Sequence, residues 1–334
     1  MIIITVTALS VVLIFAFIFI TGFHDEGNLI ATIITSRSLN VHMIFVLAFL
    51  SQFFGTVFLG TKVAYGTING LLNLELVGHY REKIPLAVLA AILGAVVWNV
   101  ITWIFAIPSS SSHALVGGLL GPFLILFGAG AVNGRGLILS VLVPLFTSPI
   151  IGYVIGILFF RLCRWFFSRH SVRAGRTLKG TQILTCVLIN AFQGSNDAQK
   201  GIGVLALLAL GAGEKSLQTK ESTILFAALA LSSGLVLGGL KMIRSVGTRI
   251  YGVRPLHSMC SQVSAASVIV SASLLGFPIS GTQIVNSAIM GVGAADRPNA
   301  VGWEYAKSML TAWAVTIPAA FALSSFFYLI LSRL

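Results

Sequence analysis

The sequence predicts an all-α integral membrane protein of two homologous halves. Three observations carry that reading: charged residues are too few, apolar runs are too long, and the same landmarks occur twice. Of 334 residues, 57% are hydrophobic and 9% are charged, against roughly a quarter charged in ordinary soluble domains. A chain of this length could bury a large aqueous core, but it would still need a charged surface, and that surface is missing.

The elements follow in order. Residues 2–20 hold no charge. With no basic start and no small-residue cleavage site before Thr21, this run reads as a retained first helix and not a secretory leader. Runs 41–61, 84–107, 136–160, 222–240 and 308–332 are each near or above the ~20 residues that cross a bilayer. Shorter apolar pieces lie at 113–130, 181–193, 202–212, 258–277 and 284–294. Together they predict roughly 10–12 membrane segments, some of them broken or re-entrant. Hydrocarbon offers the backbone no water to bond, so such runs are helices; barrel strands would alternate and be about half as long.

The net charge of +12 does not point to nucleic acid, because of where it lies. Arg161, Arg164, Arg169, Arg173, Arg176 and Lys179 fall in one loop, 161–179, which the positive-inside rule makes cytoplasmic. Lys241, Arg244, Arg249 and Arg254 likewise cluster near segment ends. Cys163, Cys186 and Cys260 are odd in number and widely spaced, a pattern of neither a disulfide framework nor a metal site.

The chain is expected to divide into a first half at 1–160, the basic loop, and a second half at 180–334. Gly22-Phe-His24-Asp25-Glu26-Gly-Asn28 matches Gly194-Ser-Asn196-Asp197-Ala-Gln-Lys200 with an offset of 172 (197 minus 25). Pro108-Ser-Ser110-Ser-Ser112-His113 matches Pro278-Ile-Ser280-Gly-Thr282-Gln283 with an offset of 170 (278 minus 108). A weaker pair is Thr147-Ser-Pro149 with Thr316-Ile-Pro318. Repeats of this kind build many secondary transporters, with sites at the repeat interface near the midplane. If each half crosses the membrane an odd number of times, the halves are inverted and both termini lie outside.

Only three aspartates occur, and two of them, Asp25 and Asp197, hold matching places in the repeat. A carboxylate at membrane depth costs some 2.5–3.5 kcal/mol even on lenient scales. The bland alternative is that each caps a helix beginning at its motif. Paired at equivalent depths they suit Na⁺ or H⁺, with Asn28 and Asn196 as neutral oxygen donors. His24, Glu26 and Lys200 are accessory candidates beside them. Around Pro108 and Pro278 the chemistry is opposite: a proline in the first turn of a helix loses no hydrogen bond, and the dipole there favours an anion. Ser110, Ser112, Ser280 and Thr282 add hydroxyl donors, and His113 and Gln283 follow at corresponding positions. Small serines that merely pack are the bland alternative for one motif; repetition favours an oxyanion site. An intramembrane enzyme would need a nucleophile, base and orienter, and the second half repeats the hydroxyls without a base.

The paired Gly22–Asn28 and Gly194–Gly203 strings, with Pro108–His113 and Pro278–Gln283, resemble the signatures of the inorganic phosphate transporter (PiT) family over essentially the whole chain. Phe54-Gly55 and Val246–Ile250 are minor echoes. The form is most similar to bacterial low-affinity members. The resemblance implies a multi-pass protein of the cell membrane that imports inorganic phosphate by symport with H⁺ or Na⁺, in some members as a divalent metal–phosphate complex. It implies no cofactor, no firmly assigned metal site and no enzyme activity, and it leaves a homo-oligomer open. It places Asp25, Asp197, Asn28 and Asn196 at the cation, and Asp25, Asp197, Ser110, Ser112, Ser280 and Thr282 around phosphate, where the position of His113 and Gln283 just after the hydroxyls adds them as further phosphate donors. Five positions depart from the pattern: Glu26, Gly27, Gln193, Gly281 and Gln283. Because the second half lacks two expected histidines, sulfate or another tetrahedral oxyanion is the alternative cargo.

Overall fold

The computed structural model describes residues 2–105, 107–167, 174–214 and 220–333. Arg169 and Arg173 lie outside these residues, as do the side chains of Arg176, Lys241, Arg244 and Arg249.

In the first half, α1 (Ile2–Thr21) runs through a π-helical turn, Gly22–Glu26, into α2 (Gly27–Thr35). Then come α3 (Val41–Phe58), the short α4 (Lys62–Leu71) and α5 (Leu74–Gly78), α6 (Ile84–Ile104) and α7 (Ser111–Phe127). A three-residue turn, α8 (Gly134–Gly136), leads through a second π-helical stretch into α9 (Val143–Phe167). The second half comprises α10 (Ala174–Gly211), α11 (Glu221–Arg249), α12 (Pro255–Leu275), α13 (Gly281–Asp296) and α14 (Trp303–Leu331). Among the described residues, six stretches are long and apolar enough to cross a membrane: Ile4–Thr35, Val41–Phe58, Arg81–Ile104, Gly134–Phe166, Glu221–Gly239 and Trp303–Leu331.

The packing is inside-out relative to an aqueous protein. Phe58, Phe226, Leu237 and Leu329 face outward, while serines, asparagines and carboxyl groups are enclosed. In hydrocarbon that is the stable arrangement, since polar groups are satisfied only by one another. Two apolar clusters divide along the first helix. Ile14, Phe17 and Ile18 belong to one, and Leu29, Ile30 and Ile33 to the other. The polar residues of the π turn lie between.

One expectation is corrected, and the bland alternative for the aspartates falls. The apolar pieces 181–193 and 202–212 are one helix, α10. The polar string between them turns inward and is buried, so the helix has no reason to break there. The aspartates cap no helix of their own, for Asp25 sits inside the π turn and Asp197 in mid-helix.

α6 and α7 form a hairpin. A bridge between Leu72 and Val132, with Asn73 N–H donating to the Ala131 carbonyl at 2.8 Å, returns the end of α7 to the level where α4 ends. α12 and α13 form a second hairpin. Its mouth is held by Tyr251, whose hydroxyl donates to Asp296 Oδ2 at 2.7 Å, and by Gly302 N–H on the Ile250 carbonyl at 2.9 Å. Burial and the bond to Asp296 push the Tyr251 phenol up to about 12. Pro108 and Pro278 do not sit in the first helical turns as expected; they lie in the extended tips, before helices that begin at Ser111 and Gly281.

The halves interlock reciprocally. α9 packs along α13, and α14 along α7; α3 packs on α10, and α11 on α1 and its π turn. Matching glycines permit the closest approaches. A Cβ at Gly55 would lie 2.3 Å from the Ala191 carbonyl oxygen, and one at Gly234 would lie 2.2 Å from that of Phe19.

Candidate functional site

All the residues singled out above at the four motifs are brought together and buried. The exposures of His24, Asp25, Glu26, Asn28, Ser110, Ser112, His113, Asn196, Asp197, Lys200, Ser280, Thr282 and Gln283 are 5% or less. They come from the π turn, the middle of α10, and the two hairpin tips.

The tips meet where the repeat matches them. Ser110 Oγ donates to Ser280 Oγ at 3.0 Å, and Gln283 Nε2 lies 3.0 Å from His113 Nδ1. In each pair the partners are 170 positions apart, the offset between the motifs, so equivalent residues touch across the junction. Ser110 also caps α7, accepting from His113 N–H at 3.5 Å.

Cross-half contacts repeat as well. Asn28 Nδ2 donates to Thr282 Oγ1 at 3.2 Å, and Lys200, its counterpart, donates to Ser112 Oγ, the counterpart of Thr282, at 2.6 Å. The lysine also reaches the Ile279 carbonyl at 2.6 Å and forms a close ion pair with Asp197. Asn28 Oδ1 is buried without a donor. Asn196 instead braces the second tip, donating to the Phe277 carbonyl at 2.9 Å and accepting from Ile279 N–H at 3.3 Å.

The two aspartates are held differently. Asp25 accepts from Ser111 through both N–H (3.1 Å) and hydroxyl (2.5 Å), while its other oxygen lies 2.7 Å from His24 Nδ1. The carboxylate therefore sits at the N-terminus of α7, where dipole and free N–H groups favour negative charge. Ser111 was not among the expected site residues. Its counterpart is Gly281, which has no hydroxyl to offer Asp197. Gln193 takes over that task, donating Nε2 to Asp197 Oδ2 at 2.9 Å. A Cβ at position 281 would lie 2.5 Å from Gln193 Cδ. Two of the departures from the family pattern are thus one packing unit.

Gln199, also outside the expected set, accepts from Val63 N–H at 2.7 Å and Ala64 N–H at 3.3 Å, anchoring the start of α4 to α10. The signal for it was its place in the Asn196–Lys200 string. Glu26 is fully enclosed, and neither of its oxygens meets a donor. Lys62 and Glu75 lie in the first turns of α4 and α5.

Chemically, the arrangement offers hydroxyl, amide and ammonium donors beside three carboxyl groups, in an enclosed layer between two half-helix starts. Such a layer can hold an oxyanion with an accompanying cation.

Comparison with known proteins is consistent with that chemistry. The model of the phosphate transporter family matches residues 21–324. A probable low-affinity inorganic phosphate transporter of Bacillus subtilis is 33% identical over 337 residues, covering 100% of this chain and 99% of that protein. One of Rhizobium meliloti is 34% identical, covering 93% of this chain and 92% of that protein. A solved structure described as "The sodium-dependent phosphate transporter" shares the fold, with a TM-score of 0.89 at 23% identity over 99% of this chain and 100% of that one. The chain belongs to the phosphate transporter family.

Proposed function

We propose that this protein imports inorganic phosphate across the cell membrane by symport with a cation, through alternating access between two inverted halves. The observation that carries the proposal is the junction at which Ser110 meets Ser280 and His113 lies beside Gln283, flanked by Asp25 and Asp197. Phosphate is taken to sit among Ser110, Ser112, His113, Ser280, Thr282 and Gln283, with the cation at Asp25, Asn28, Asn196 and Asp197. Inversion is supported by the hairpins, which meet tip to tip through Ser110 and Ser280 and through His113 and Gln283. With the basic loop taken as cytoplasmic, the first hairpin enters from outside, the second from inside, and both termini lie outside.

Phosphate keeps a proton at neutral pH and can donate it to a carboxylate, whereas sulfate cannot. Unsatisfied acceptors at a site reject the ligand that fails to fill them. The test is uptake of radiolabelled phosphate into proteoliposomes under imposed Na⁺ or pH gradients, with sulfate as competitor. Gradient-driven accumulation is expected, with little competition by sulfate, and is lost in the Asp25→Asn, Asp197→Asn double variant. Uptake that follows neither gradient overturns symport, and normal coupled uptake by the double variant overturns the site.

A further inference from the structure

Between α4 and the tip of the second hairpin lies a cavity of about 500 Å³. Lys62, Tyr65 and Asn69 line one side of it, three and four positions apart and hence on one face of α4. Asn133 and Ser140 line another. Its deep end is the tip itself. A Cβ on Gly276, whose φ is 79°, would lie 3.3 Å from Lys62 Cβ, and one on Gly66 would lie 2.4 Å from the Gly276 carbonyl oxygen. At the other end a second cavity, sharing Asn69 and Asn133, continues past Asn73 and Glu75. The membrane-length stretch Gly134–Phe166 starts beside that end and finishes at the basic loop, so the cavity opens on the membrane face opposite the loop.

The segment Gly276–Phe277 stands between this cavity and the buried layer. Phe277 lines the cavity, while its carbonyl accepts from Asn196 Nδ2 at 2.9 Å, and Asn196 is the neighbour of Asp197. The opposite wall is fixed. Gln199 holds the start of α4 through the Val63 and Ala64 N–H groups, and Asn133 Nδ2 donates to the Asn69 carbonyl at 3.0 Å. Among the described residues no hydrogen bond joins α4 to Leu275–Phe277. The tip therefore meets α4 through glycine packing alone, a contact that parts without breaking a polar pair.

The one charged side chain on the cavity wall is Lys62. It is exposed, and among the described residues it forms no ion pair. A cleft that carries one sign of charge between low-dielectric walls concentrates ions of the other sign. A lysine suits capture followed by release, because its ammonium is a mobile point charge without the fixed fork of an arginine.

We propose that this cavity is the outer vestibule of the transport path, that Lys62 is where phosphate is first received, and that the Gly276–Phe277 corner is the door from there to the buried layer. The assignment rests on the proposed phosphate transport, with the basic loop cytoplasmic.

The test measures phosphate uptake into proteoliposomes against phosphate concentration, at low and high ionic strength, for wild type, Lys62→Gln and Lys62→Arg. At low salt Lys62→Gln is expected to raise KM about tenfold, the lower end of what a charge-lined cleft adds to encounter. The maximal rate should be kept, and Lys62→Arg should stay near wild type. High salt should bring the wild-type KM up toward that of Lys62→Gln, since screening shortens from about 10 Å at 0.1 M to about 3 Å at 1 M. A wild-type KM in Lys62→Gln, or a difference that salt leaves untouched, overturns the role of Lys62. Should Lys62→Gln transport nothing, Lys62→Cys in a chain with Cys163, Cys186 and Cys260 replaced decides. Treated in intact cells with membrane-impermeant thiol reagents, it should regain uptake with a reagent that carries an ammonium group and not with one that carries a sulfonate. Equal recovery with both overturns the charge argument, and a thiol that neither reagent reaches overturns the vestibule. A wild type that takes up no phosphate overturns the underlying phosphate reading instead, because labelling from outside does not depend on the cargo.

Discussion

At the scale of single residues, the second aspartate shows how one lost hydroxyl reshapes its surroundings. Gly281 leaves a space that Gln193 fills on its way to Asp197. Gly281→Thr is therefore expected to overpack the site, at a cost of ~1–3 kcal/mol. A thermal unfolding series in detergent checks this: the single variant should melt below wild type, and Gln193→Ser in the same chain should restore part of the loss. A single variant as stable as wild type would show that Gln193 has room to move aside. Ser111 illustrates what remained hidden in the sequence. Four serines run from Ser109 to Ser112, and matching the halves draws attention to those with hydroxyl counterparts. Ser111 has none, because glycine stands opposite, yet it is the serine that touches Asp25.

Helices and hairpins carry the next set of constraints. The crossings of α3 on α10 and of α11 on the π turn leave no space for a methyl group at Gly55 or Gly234. Gly55→Ala and Gly234→Ala should each lower the melting temperature, by an amount set by backbone displacement of order 1–3 kcal/mol. Equal losses at the two positions are expected, since the crossings are equivalent, and a neutral result at either would break the equivalence. The membrane helices were legible because apolar run length is a direct consequence of bilayer thickness. Their continuity was not. A polar string such as Gly194–Lys200 reads as an interruption when only the chain is considered. Polar groups gathered from four elements satisfy one another in space, and the helix passes through unbroken. The hairpin tips were misjudged for a related reason. The prolines mark extended segments held by neighbours, as where Trp313 Nε1 donates to the Pro108 carbonyl at 3.1 Å. The adjacency of Cys163 and Cys260, on α9 and α12, is of the same long-range kind.

For the whole molecule, the proposed cycle requires the tips to separate. Ser110 and Ser280 hydroxyl oxygens lie 3.0 Å apart, near enough for a pair of cysteines to be bridged. In a background with Cys163, Cys186 and Cys260 replaced, Ser110→Cys with Ser280→Cys should cross-link under mild oxidation and stop uptake. Reductant should then restore it. Uptake that continues in the cross-linked protein would mean that the tips need not part. Four motifs at near-constant spacing suggest the two-half division, whereas the packing of α9 on α13 and of α14 on α7 had no signal in the chain. Motif spacing records descent, and which half each helix leans on is decided by the shapes of the packed surfaces.

The crossings at Gly55 and Gly234 also align two stretches of unequal shape. Beyond Gly234 the helix continues unbroken to Arg249, while beyond Gly55 it stops at Phe58, turns through Gly60 with φ of 83°, and restarts at Lys62. If the two halves are counterparts as proposed, the same crossing is followed by an interrupted helix on one side of the molecule and a continuous one on the other, and the sides are unequal in how far an unbroken rod reaches past the crossing.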